Sequence, residues 1–183
     1  MTVKKLLILV FALSIILMNF LACHASALAG MKLYRNKEYW FSIEVPDYLT
    51  YQTPRGPNVK MLAGIKEFSM NILIRPVPEI ESSNDGILAE IHAANIRSSS
   101  ERNTQILEAD IINIPNIRVL YECYVTRYDY PEMTFFLTGY SFQFIKHHRL
   151  YCISYFVEPG KENLYKKTIF NSIGSFVDET GWY

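Results

Sequence analysis

The stretch 104–157 constrains this chain more than any other, because four segments rich in aromatic and β-branched residues follow one another there with only short polar breaks. Read as strands, 105–113, 117–127, 134–145 and 150–157 form an antiparallel meander. The breaks are Pro115-Asn116, the polar run 129–132 and the run 146–149. Chain on either side of this block reads as cover for the sheet.

Upstream, Tyr39-Trp40-Phe41-Ser42-Ile43-Glu44-Val45-Pro46 reads as a half-buried first strand, since its last five residues alternate apolar and polar before proline stops the ladder. The loop 53–58, with Pro54, Gly56 and Pro57, cannot sustain regular structure. Two short strands are expected at 59–65 and 69–75, the second ended by Pro76 and Pro78. Ile87, Leu88, Ile91, Ala94 and Asn95 then share one helical stripe, with Asp85 in the first turn where the helix dipole favours an anion. A second helix follows Pro159-Gly160, with Tyr165, Ile169, Ile173 and Phe176 on one face and Lys161, Lys166 and Lys167 on the other.

Phe136, Tyr140, Phe142 and Phe144 alternate with Phe135, Leu137 and Ile145, so the third meander strand reads as apolar on both faces and both faces need cover. One helix precedes the meander and one follows it. The economical architecture is an α+β fold, an α/β/α sandwich with an antiparallel sheet and a helix on each face. Gly139 in mid-strand predicts a bulge.

Composition supports one well-cored domain: half the 183 residues are hydrophobic, and thirteen Tyr and eleven Phe supply bulk. Residues 1–29 read as a signal peptide, with Lys4 and Lys5 before an apolar run, and small residues at Ala25-Ser26-Ala27 and Ala27-Leu28-Ala29 that favour cleavage after Ala27 or Ala29. Two other readings stay open: an uncleaved membrane anchor, and a lipobox at Phe20-Leu21-Ala22-Cys23 with Cys23 acylated. The single domain is then 30–183. The leader's two lysines leave sixteen basic against eighteen acidic residues, a net charge of −2 that argues against a nucleic-acid partner.

The order of a strand ending Phe41-Ser42-Ile43-Glu44-Val45-Pro46, a helix, a long meander through Leu150-Tyr151-Cys152-Ile153-Ser154-Tyr155, and a helix closing on Phe170-Asn171-Ser172-Ile173-Gly174-Ser175-Phe176 resembles the PsbP-like family, which includes DcrB-like exported bacterial proteins. The resemblance spans most of 37–177 and rests on packing motifs. It implies an antiparallel sheet with helices on both faces and a small binding or accessory subunit, with no catalytic set to carry over.

Chemistry is sparse in the sequence. His147-His148 lack a Cys or acidic partner at ligand spacing, His92 flanks the core stripe of its helix, Cys152 lies inside a strand, and no Gly-x-Ser-x-Gly or phosphate-binding glycine loop occurs. The acids Glu79, Glu81 and Asp85 are accounted for by solvation and the helix dipole. Tyr121, Tyr124, Tyr128, Tyr130, Tyr140, Tyr151 and Tyr155 suit a strand core better than a ligand groove. No catalytic, cofactor or metal residue is therefore assigned. The expected function is a non-enzymatic binding or accessory module of the bacterial cell envelope, its partner an envelope protein or small ligand. Membrane association follows only if the leader is retained or Cys23 is lipidated. The alternative is a small envelope hydrolase or ligand-processing enzyme, with a site assembled in three dimensions around Tyr128-Asp129-Tyr130 and His147.

Cys123 and Cys152 fall on the second and fourth meander strands. Two inter-strand spacings separate them by roughly 9.6 Å, beyond the ~7 Å a disulfide spans, so two separate buried thiols are expected.

Overall fold

A computed structural model describes residues 30–77, 84–115 and 117–179; the leader reading, Glu79 and Glu81 lie outside them. The meander is β6 (Thr104–Ile114), β7 (Ile117–Tyr130), β8 (Met133–Lys146) and β9 (Arg149–Val157). They stand in the order β9-β8-β7-β6, and β9 also pairs with β5 (Phe68–Pro76), beyond which come β4 (Val59–Gly64) and the two-residue β3 (Thr50–Tyr51). All seven strands are antiparallel to their neighbours.

A second, three-stranded sheet was not foreseen. In it β2 (Phe41–Pro46) pairs with β1 (Met31–Asn36) on one side and with β10 (Val177–Asp178) on the other. The strand expected from Tyr39 starts at Phe41, because Trp40 sits at φ 52 in the β1–β2 turn and cannot continue a ladder.

One face of the large sheet carries the core. Tyr121 of β7, Phe142 of β8, Ile153 of β9 and Ile72 of β5 are level with one another by register, and all are buried. Phe41, Ile43 and Val45 of β2 cover this face together with helix α2 (Glu162–Gly174), which contributes Tyr165, Ile169 and Ile173. Ring packing fixes the layers: Phe68 stacks on Tyr165 at 4.6 Å, Phe170 meets Phe142 edge-on at 5.6 Å, and Phe176, just past the helix, stacks on Phe41 at 5.5 Å. Full burial of each such side chain stabilises the fold by about 1.5–3 kcal/mol. A hydrogen-bond chain ties the three layers, Tyr155 Oη donating to Ser172 Oγ (2.9 Å) and Ser172 Oγ to the Glu44 carbonyl (2.6 Å).

Helix α1 (Asn84–Ser99) lies on the opposite face, as the sandwich requires, and rests on β6 and β7. Ile87 and Leu88 are buried, whereas Ala94, on the expected stripe, is exposed. A single helix beside one edge leaves the middle of this face without apolar cover. Accordingly β8 is not apolar on both sides: its second face presents Ser141 and Gln143 at the centre. Nor does Gly139 mark a bulge. It pairs in unbroken register with Tyr124 and Phe156, and the glycine is needed because the ring of Tyr124 lies where a Cβ would stand. The register shifts fall instead between Val59 and Met61 and between Ile106 and Glu108.

Candidate functional site

Between α1 and the β4–β5 side of the sheet, the second face opens into a groove of about 670 Å3. Strands β5, β9, β8 and β7 form its floor, and the pleat sends alternate residues up from each. Ladder register aligns four polar side chains in one row: Asn71 is opposite Ser154, Ser154 opposite Ser141, and Ser141 opposite Glu122. Cys152 and Gln143, paired with each other, stand in the next row. A row of polar groups in mid-sheet costs stability where apolar residues would pack, which marks the groove as the place where this fold departs from self-sufficiency.

Glu122 anchors one end of the row. Its carboxylate is only 3% exposed and accepts hydrogen bonds from His92 Nδ1 (2.7 Å), Asn95 Nδ2 (2.8 Å) and Gln143 Nε2 (3.2 Å). Three donors compensate the buried charge. They also dock α1 on the sheet, because two of the three belong to that helix. His92, read from the sequence as a flank residue, is thus a carboxylate partner. From the next row, the Cys152 thiol lies 3.6 Å from Ser141 Oγ and 3.5 Å from Ser154 Oγ, so among the described residues these buried hydroxyls have only a weak sulfur partner. At the far end, Asn71 Oδ1 is buried with no hydrogen-bond partner among the described residues.

The walls are aromatic and cationic. Phe156, Tyr128 and Tyr124, whose ring lies over Gly139, line one end, and burial raises the Tyr124 phenol well above its usual pKa, so it stays protonated. Arg75 and Arg102 line opposite ends. Arg75 is level with Leu150, while Arg102 precedes Asn103, whose carbonyl takes the Arg127 amide at the other end of β7. Neither guanidinium has a carboxylate partner among the described residues.

The tyrosines weighed from the sequence divide between the two faces. Tyr121, Tyr140, Tyr151 and Tyr155 are core, and burial pushes the Tyr140 phenol up to about 12. Tyr124 and Tyr128 line the groove, and Tyr130 is exposed at the β7–β8 hairpin. The residues weighed for a hydrolase site are not brought together. Asp129 stands near one end of the fourteen-residue β8, opposite Thr134, and His147 lies just past the other end, with a strand length of roughly 45 Å between those ends. His147 does meet an acid, Asp178 at 2.9 Å, but in an exposed left-handed turn (φ 48, then 56 at His148), and neither His147 nor Asp178 lines the groove. No group of three or more metal-ligating side chains occurs among the described residues.

Two sheets, one of them a long meander with a helix on each face, define the fold of the PsbP-like proteins. The structure of the cyanobacterial PsbP protein CyanoP from Synechocystis superposes with a TM-score of 0.58 at 11% identity, over 82% of this chain and 94% of that one. Mog1p, a Ran-binding protein of Saccharomyces cerevisiae, aligns with TM-score 0.58 at 8% identity over 84% of this chain and 98% of its own. A Bacteroides thetaiotaomicron protein matches at TM-score 0.58 and 13% identity, with 83% of this chain covering half of that longer one. No protein-family model matches the sequence, and no curated protein matches it in sequence.

Proposed function

We propose that this protein is an exported, non-enzymatic binding module of the bacterial cell envelope, and that it holds a small ligand in the groove on the second sheet face. The row from Asn71 to Glu122, with Cys152 and Gln143 beside it, carries the reading: these residues bring hydroxyl, thiol and amide groups to the groove, one of them an acceptor without a partner among the described residues, from strands that rigid ladders hold in place. Export is supported by the leader's basic start, apolar run and small-residue cleavage sites. That a structural neighbour is described as a Ran-binding protein is in keeping with a binding role for the fold.

The test is native mass spectrometry of the purified protein after exposure to the small-molecule fraction of an envelope extract. Wild type should carry a discrete adduct, and Asn71→Phe, which fills the groove from a half-buried floor position, should carry none. An adduct equally abundant on both proteins, or on neither, would remove the groove from consideration. Export is checked on the same material: a mature N-terminus at Leu28 or Gly30 supports it, and an intact Met1 supports the anchor instead.

A further inference from the structure

The floor strands of the groove are all interior. β5, β9, β8 and β7 each have a ladder partner on both sides, so their backbone amides and carbonyls are committed, and the open edge of the sheet, β6, lies beyond them. Recognition from this floor is left to side chains. These comprise the ring of Tyr124, the two buried hydroxyls of Ser141 and Ser154, and the Asn71 amide oxygen, which has no donor among the described residues. A ligand that matches them has donor and acceptor groups around the rim of a ring with one apolar C–H face, which is the chemistry of a sugar.

Charge narrows the class. Glu122, the acid of the groove lining, has its oxygens taken by His92, Asn95 and Gln143, whereas Arg75 and Arg102 are exposed and without a carboxylate partner among the described residues. Among the described residues the groove therefore presents two guanidinium forks without a carboxylate partner, suited to bidentate carboxylate recognition. From the level of Arg75 and Leu150 to that of Phe156 on β9 the floor runs six residues, roughly 20 Å at strand rise, a length that takes more than one ring.

Resting on the groove being the binding site, we propose that its ligand is a short acidic oligosaccharide of the uronic-acid type, one ring lying on Tyr124 over Gly139 and its carboxylates received by Arg75 and Arg102. An extended acidic peptide is the less favoured occupant, because it would seek main-chain bonds that this interior floor does not offer.

Isothermal titration of the full mature protein with trigalacturonate, maltotriose and an acetylated Asp-Gly-Asp amide tests the assignment. Trigalacturonate should bind, at least tenfold more tightly than neutral maltotriose or the peptide. Arg75→Gln and Arg102→Gln should each weaken it at least tenfold with melting temperatures unchanged, and Tyr124→Leu should weaken it as well. Equal binding of trigalacturonate and maltotriose, tighter binding of the peptide, indifference to both arginine substitutions, or no binding of trigalacturonate would each overturn the acidic-sugar assignment. The groove itself is judged separately by the extract adduct and its loss in Asn71→Phe, so a non-sugar adduct that this substitution abolishes refutes the sugar and keeps the site.

Discussion

The ring of Tyr124 lies across Gly139, its directly opposed partner on β8, in the space that any larger residue at 139 would need for its Cβ. Tyr124 thereby covers a backbone that has no side chain of its own and lines the groove there. Gly139→Ala should force the ring away and destabilise the protein by about 1–3 kcal/mol, measured by urea denaturation. In the Tyr124→Ala background the same substitution should cost much less; equal costs in both backgrounds would show that the ring does not make the constraint.

Glu122 is held by three donors on two elements, so its removal leaves His92, Asn95 and Gln143 facing one another across a buried gap. Glu122→Ala should destabilise by about 1–3 kcal/mol and loosen α1 before the rest of the fold. Hydrogen exchange should therefore accelerate at 88–99 ahead of the β8 and β9 amides. Uniform acceleration would mean that the carboxylate does not serve to dock the helix.

On the opposite face, Phe142 is fully buried among Tyr121, Tyr155 and Phe170. Phe142→Ala should cost about 3–5 kcal/mol, a large part of the stability of a domain this size. An unchanged thermal midpoint would place the ring outside the core.

The two described thiols are unpaired and point to opposite faces, Cys123 into the core and Cys152 into the groove, with β8 between their strands. Burial also raises the Cys123 pKa. Alkylation of the native protein should modify Cys152 first and Cys123 only on unfolding, as peptide mass spectrometry would show. Faster labelling of Cys123 would contradict the face assignment.

Much of this was legible in the sequence. The four meander strands appear within a few residues of their expected ends, because period-two aromatic and β-branched patterning and polar turns act locally. The groove was harder to see. Glu122 sits between Tyr121 and Cys123, and its phase alone does not say whether an acid there faces water or a buried row. The information lay in the two-residue turns at 131–132 and 147–148: counting outward from them brings Glu122, Ser141 and Ser154 level. Asn71 could not be found that way, since β5 joins β9 across a long connection that includes α1. The β1–β2–β10 sheet was missed because β10 has two residues and draws its stability from β2 rather than from its own pattern.

At the edge of the core, Lys161 Nζ reaches Glu67 at 2.6 Å and fastens the start of α2 to the β4–β5 turn. The hydrogen bond from Lys161 holds the Glu67 carboxyl below the usual range. A depressed carboxyl contributes stability that is present above its unfolded pKa and lost as pH falls through the folded one. Glu67→Gln should therefore flatten the acid limb of the stability profile. Because the same contact raises the Lys161 pKa, and so adds stability that is lost as pH rises through the folded Lys161 pKa, it should flatten the alkaline limb too; an identical acid limb would show that the pair contributes nothing.

The groove as binding site is tested most directly by amide chemical-shift mapping of the isotopically labelled mature protein as the envelope small-molecule fraction is titrated in. Saturable shifts should centre on Asn71, Tyr124, Ser141, Cys152 and Ser154 and fade toward β1 and β2. Shifts centred on the three-stranded sheet or the His147 turn, or none at all, would contradict it.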